Sequence, residues 1–264
     1  MALTDSESIL AGMRPLEPIQ KNGATAVVGR LQSLFYAAGM PGAAVAPTPG
    51  VGGAALTSYA GQIPFTNPVS GETRLSGMTA AANVSGALLL CDRLWHNSGL
   101  SPTLTTSQTV NSVALPARDK NETINGAGIQ CGIEVSGTMG AGTPTFTIVY
   151  TNTANVTGRT VVSAALPATM AAGSFIPLAL AAGDVGCKSV QSIQLSATMT
   201  SGTFHLVAYR VLAMIAVPAT GNATLNALQL NFPKLADNTV PFMLWLPSVT
   251  TAPGIFAQLG ISQG

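Results

Sequence analysis

The hydrophobic pattern changes at about Gln62, and after a compact apolar run within residues 87–97 period-two alternation of apolar and polar residues dominates the chain. Ile129, Cys131, Ile133 and Val135 face one way, and Gln130, Gly132 and Glu134 face the other. Phe146, Ile148 and Tyr150 alternate with Thr145, Thr147 and Val149; Ile193, Leu195, Ala197 and Met199 alternate with Ser192, Gln194, Ser196 and Thr198. Such runs predict half-buried strands. Ser201-Gly202 reads as a two-residue hairpin turn into a strand over residues 203–217. Repeated strands separated by Gly, Pro or Asn predict a mainly β fold, an antiparallel β-sandwich of jelly-roll-like type, over residues 62–264.

The first 61 residues carry a different pattern and are expected to form a separate N-terminal region. Thr4-Asp5-Ser6-Glu7 offers an N-cap with acidic first-turn residues, Ile9, Leu10 and Met13 share a helical face, and Pro15 and Pro18 end it. A second helix is predicted over residues 25–38, where Val27, Leu31, Leu34 and Phe35 fall at helical spacing and Gly39 supplies a stop. Residues 40–53, rich in Ala, Pro and Gly, cannot form a core alone. They read as an extended arm: a linker in isolation, a strap over a neighbour in an assembly.

Charge changes the picture most. The 264 residues include only 11 Lys plus Arg and 10 Asp plus Glu, against roughly a quarter charged in ordinary soluble domains. No charged residue occurs between Arg30 and Glu72, between Arg159 and Asp184, or after Asp237. A monomer so apolar and so near neutrality is expected to self-associate, so the first reading is a building block of a larger assembly. Basic residues scattered singly argue against nucleic acid as a direct partner. The uncharged stretch 160–183 is long enough for a membrane span, but it holds Pro167, Gly173 and Pro177 and is mostly Ala, so no membrane partner is expected. The acidic start lacks the form of a signal peptide. Cys91, Cys131 and Cys187 therefore read as buried small hydrophobes, and the sequons at Asn83, Asn121, Asn155 and Asn222 as coincidence.

Several segments resemble a family of tailed-bacteriophage virion structural proteins: 88–99 (LLLCDRLWHNSG), 108–112 (QTVNS), 116–119 (PARD), 150–154 (YTNTA), 158–160 (GRT), 182–193 (AGDVGCKSVQSI), 201–210 (SGTFHLVAYR) and 240–247 (VPFMLWLP). The resemblance covers about residues 62–247 and leaves out the N-terminal region and arm. It implies a virion component assembled in the host bacterial cytoplasm, with partners among copies of itself and other virion proteins such as a major capsid protein or tail proteins. It brings no catalytic residue and no cofactor with it.

The chain's own residues point the same way. His96 and His205 are its two histidines, and no cluster of three or four ligands at metal spacing accompanies them. No Gly-x-Ser-x-Gly elbow is present. A glycan-cleaving site needs two carboxylates flanking a sugar, and most of the ten acids sit beside Gly, Pro, Arg or Asn in turn-like contexts, with Glu134 on the polar face of a strand. No enzymatic activity and no cofactor or metal is expected. Asp92-Arg93, Arg118-Asp119-Lys120 and Asp184 with Lys188 read either as solvated loop pairs or as polar anchors at subunit contacts. Trp95, Arg93, Arg118, Trp245 and Phe35 are the candidate interface or structural anchors. The expected role is a non-enzymatic capsid decoration, cement or vertex protein. A tail, neck or baseplate ring component is the first alternative, and a host-surface binding or glycan-cleaving domain the second.

Overall fold

The computed structural model describes residues 3, 5–48, 53–110 and 112–264. In chain order its elements are α1 (Ser6–Ala11), β1 (Glu17–Asn22), β2 (Gln32–Ser33), β3 (Ala38–Met40), β4 (Ala54–Ala55), β5 (Thr73–Ala82), β6 (Gly86–His96), β7 (Gln108–Thr109) and β8 (Gln130–Gly137). There follow β9 (Phe146–Asn152), β10 (Arg159–Val162), β11 (Phe175–Leu178), β12 (Cys187–Leu195), β13 (Thr203–Val217), β14 (Asn222–Asn226), α2 (Ala227–Leu230), β15 (Lys234–Leu235), β16 (Pro241–Pro247) and β17 (Gly254–Gln263). The fold is mainly β, and the strand pairings among the described residues are antiparallel.

Contacts divide the chain elsewhere than at residue 61. Unit 1 comprises Met1–Val45, Ser58–Asp92 and Val211–Gly264; unit 2 comprises Ala46–Thr57 and Arg93–Arg210. Strands β6 and β13 each give one part to each unit.

Unit 1 is built on a sheet of order β14-β5-β17-β1-β3, with β15 also on β5. Its centre is the long β5–β17 ladder, from Ile255↔Ala82 to Gln263↔Thr73, and β1 adds on the far side of β17 from Glu17↔Leu259 to Asn22↔Gly254. A second ladder joins β16 to residues 86–92 of β6 and to β2. Alternation along these strands turns Ile19, Leu75, Met78, Leu88, Leu90, Ile215, Trp245, Ile255 and Leu259 into one apolar core. Burial of such side chains contributes about 1.5–3 kcal/mol each and is the main stabilising term.

Unit 2 has a sheet of order β10-β9-β12-β7, and a ladder in which β8 lies between β11 and residues 203–210 of β13. Ile133 and Val135 of β8, Phe146 and Ile148 of β9, Ile193 and Leu195 of β12, and Phe204 and Leu206 of β13 share one core. The Phe146 and Phe204 rings, 5.2 Å apart, link the two ladders directly. Gly132 is required where it stands, because a Cβ there would run into the Phe175 ring of neighbouring β11. That ring in turn meets Tyr209 edge to face at 5.2 Å.

The predicted strands over 129–135, 146–150 and 193–199 correspond to β8, β9 and β12, the last ending at Leu195. The structure corrects other expectations. Residues 25–38 contain no helix. Gly29 adopts φ +75, a left-handed conformation that interrupts a helix, and Val27 and Val28 are exposed. The backbone bonds of this segment go instead to β16 and the turn after it: Leu34 N–H to Met243 O, Gly29 N–H to Pro247 O and Ala26 N–H to Thr250 O. The first predicted helix is a single short piece, α1, capped by Asp5, whose carboxylate accepts from Ser8 N–H while the Asp5 N–H reaches Ser8 Oγ. Thr4 lies outside the described residues, as do 49–52 of the arm. The described part of the arm folds on its own chain: Ala44 N–H bonds Phe35 O, Tyr59 O–H bonds Val45 O, and Ser98 O–H bonds Thr48 O. Ser201-Gly202 does not close a β12–β13 hairpin, since β12 pairs with β9 and β7, and β13 with β8. Among the described residues no helix is long and apolar enough to cross a membrane.

Candidate functional site

All five candidate anchors are buried within the chain. Trp95, Arg93, Arg118, Trp245 and Phe35 are each at most 3% exposed, which leaves them no surface to offer a neighbouring subunit. In unit 1, Phe35 packs edge to face on Phe242 at 5.7 Å and stacks on Tyr59 at 5.7 Å. Trp245 lies against Gly86, where any Cβ would meet its ring. In unit 2, Trp95 belongs to the apolar core. Arg118 donates to Leu56 O at 2.8 Å and Arg93 O at 3.3 Å, so it ties loop backbone to β6.

The surroundings of Arg93 were not legible in the sequence. Its guanidinium forms a two-pronged pair with Glu134 of β8, Nη1 to Oε1 at 3.1 Å and Nη2 to Oε2 at 2.6 Å, with neither side chain exposed. Its Nε–H donates to His96 Nδ1 at 3.2 Å. His205 of β13 stands directly opposite Glu134 in the β8–β13 register. It is 2% exposed. Burial and then the charge of Arg93 hold His96 down to about 3, with Glu134 opposing. Burial is also the main cause that holds His205 down to about 4. Both imidazoles are therefore neutral near pH 7. Glu134 occupies the face of β8 that the alternation marks as polar, and period two alone does not reveal that both faces of the strand are covered: residues 131–135 are all buried.

The other charged spots likewise serve the fold. Burial raises the Asp119 carboxyl, but bonds from Thr123 N–H and O–H, Ala127 N–H and Asn121 N–H outweigh it and hold the group below the usual range. Four donors thus fill this carboxylate and fix the loop around it. Asp184 pairs with Arg159 at 2.9 Å rather than with Lys188. Bonds from Tyr150, Asn152 and Arg159 hold it down to about 2. In unit 1, Lys21 is buried and donates to the carbonyls of Ala37, Pro41 and Gly42 at 3.1, 2.7 and 3.3 Å. Burial brings it down to about 8. Cys91, Cys131 and Cys187 are free thiols and buried.

Unit 1 carries a groove of about 330 Å³ lined by Arg14, Glu17, Phe65, Asn67 and Gln263 among others, in which Glu17 is the one carboxylate among the described residues. It also presents the outer face of its β14-β5-β17-β1-β3 sheet. Register places Met40, Gln20, Phe256, Ala81 and Asn222 in one cross-strand row. Pro18, Gln258, Thr79 and Thr224 form the next, and Gly260, Gly77 and Asn226 the one after. None of these twelve residues carries a charge, whereas solvated antiparallel faces ordinarily alternate with Lys, Glu and other polar side chains. Phe256 is 57% exposed and Met40 51%. No sequence motif marks this face, because it is assembled from five segments spread between residues 18 and 260.

No protein-family model and no curated protein matches the chain. Solved structures to which it is similar include three from infectious bursal disease virus, at TM-scores too low to define a common fold. For the Gt strain, identity is 11% over 95% of this chain and 80% of that one, with a TM-score of 0.20. For the VP2 subviral particle it is 9% over 96% and 80%, with a TM-score of 0.23. For the T13 viral particle it is 8% over 96% and 78%, with a TM-score of 0.21.

Proposed function

We propose that this chain is a non-enzymatic structural subunit of a virion, placed on the capsid of a tailed phage as a decoration, cement or vertex protein. The observation that carries the reading is the block of three charge-free rows on the outer face of the unit 1 sheet, with Phe256 and Met40 standing out of it and the charges of Arg74 and Lys234 confined to the row beyond. Exposed apolar surface rimmed by polar residues is the usual mark of a protein contact. Burying it stabilises association by about 25 cal/mol per Å² of apolar area, and no ion has to lose its water on this side of the contact. Copies of the chain and other virion proteins are the partners in this reading. The buried side chains of Trp95, Arg93, Arg118, Trp245 and Phe35 keep each subunit rigid while the face does the joining.

The test separates purified particles into DNA-filled heads and isolated tails and quantifies the chain in each by mass spectrometry. Enrichment in heads at high copy number is expected. Enrichment in tails at a few or a dozen copies would move the chain to a neck, tail or baseplate ring. Absence from both would overturn the virion reading. A glycan-cleaving role would need a pair of carboxylates across a groove, and the unit 1 groove supplies Glu17 alone among the described residues.

A further inference from the structure

We propose that Arg93, Glu134, His96 and His205 form an acid-operated latch that holds the strands of unit 2 together near neutral pH and releases them on mild acidification. The latch would operate in the chain whether or not it is part of a virion.

The geometry sets the charge balance. One carboxylate, Glu134, faces one guanidinium, Arg93, and both are fully buried. Two neutral imidazoles also face the pair, His96 from β6 and His205 from β13. Arg118 approaches from its loop and donates to backbone carbonyls, including Arg93 O. Arg210, further along β13, donates to Asp119 O. Asp92, next to Arg93 in β6, accepts from Val240 N–H at 2.9 Å.

His96 accepts the Arg93 Nε–H at Nδ1, so its proton sits on Nε2. A second proton has to enter at Nδ1, where it meets the Arg93 donor head-on. At His205 burial, with the Arg93 charge, outweighs the Asn97 backbone, which favours the charged ring, so a proton gained there brings a poorly compensated positive charge. Two protonations leave three cations around one carboxylate, in a place too dry to screen them. The folded arrangement therefore excludes protons that the unfolded chain takes up readily. The cluster joins β6, β8 and β13, so release loosens the centre of unit 2.

Linkage sets the direction. Both imidazoles bind protons more weakly in the folded chain than their ordinary value of about 6.5. Stability is fully present above that value and is lost as pH falls toward 4. Each excluded proton changes the folding equilibrium by about tenfold per pH unit, so two give about a hundredfold. Between pH 6.5 and 4.5 most carboxylates remain ionised, which leaves this window to the histidines.

The experiment uses the full chain. Imidazole NMR signals are followed from pH 7.5 to 4 alongside hydrogen exchange of β8 and β13 in unit 2 and of β5 and β17 in unit 1. Both histidines are expected to stay neutral while unit 2 is folded and to protonate together with loss of protection in β8 and β13, with β5 and β17 still protected. His205→Phe, checked at pH 7.5 for native exchange protection, should reduce the pH dependence of the folding equilibrium from about a hundredfold to about tenfold per pH unit. An imidazole of the folded wild-type chain titrating near 6.5 would overturn the proposal, and this test holds even where the variant does not fold. An unchanged pH dependence in a folded His205→Phe chain would overturn it as well.

Discussion

In unit 2, Arg93, Glu134, Arg118 and Asp119 are all withdrawn from solvent, and two histidines are buried beside them. In unit 1 three neighbouring outer rows of β3, β1, β17, β5 and β14 hold no charge, Arg74 and Lys234 standing in the row beyond, and an exposed phenylalanine sits among them. A chain with so few ionisable groups thus places several of them inside one unit and withholds them from a broad face of the other. A buried ion pair adds little net stability over an apolar pair of the same shape, because desolvation offsets the Coulomb gain. Its effect is positional: Glu134 has one arrangement in which Arg93 is satisfied, and this fixes β8 against β6. The charge-free face works the opposite way, being permissive about its own fold and suited to being covered. Scarcity of charge therefore has two meanings in one molecule, an internal lock and an external contact.

The contrast is most vulnerable at Glu134. Glu134→Ala leaves Arg93 buried without its counter-ion, and a loss of about 3–5 kcal/mol is expected. Urea unfolding followed by hydrogen exchange should place that loss in unit 2. Trp245→Ala is the counterpart in unit 1, with about 3–5 kcal/mol lost from the cavity it opens; exchange in β5 and β17 should rise first. Asp119→Ala removes a carboxylate that accepts four bonds, one each from Asn121 and Ala127 and two from Thr123. It should cost about 1–3 kcal/mol by thermal denaturation, since the part-buried donors of this loop lose their common partner. At the small end, Phe256→Lys should change folding stability by no more than about 0.5 kcal/mol, as befits an exposed position. Its effect is expected on association instead. If Phe256→Lys destabilised the fold as much as Trp245→Ala, the division between lock and contact would fail.

The strands of unit 2 can be read from alternation because each presents an apolar face to one core. Ile133, Ile148 and Ile193 lie on the side of their strands that period two assigns them. Pairing itself was not legible: β12 and β13 are consecutive, yet β12 joins β9 and β13 joins β8, because partners are chosen by core packing rather than by nearness in sequence. Residues 25–38 depart from their pattern for a related reason. Leu34 and Phe35 are buried as helical spacing suggests, but Gly29 turns left-handed and the segment finds its backbone partners on and beyond β16. The five candidate anchors lie in the interior rather than at the surface. A scarce arginine in an apolar chain is as well explained by a distant buried partner, and Glu134, 41 residues away, carries no local sign of that role.

The decisive experiment follows the incorporation of Phe256→Lys chains into particles, quantified by mass spectrometry against wild type once the variant's exchange protection and thermal stability have been matched to it. A contact made by the charge-free face requires a variant that folds normally and is strongly depleted from particles. Incorporation of a normally folded Phe256→Lys chain at the wild-type copy number would refute that contact.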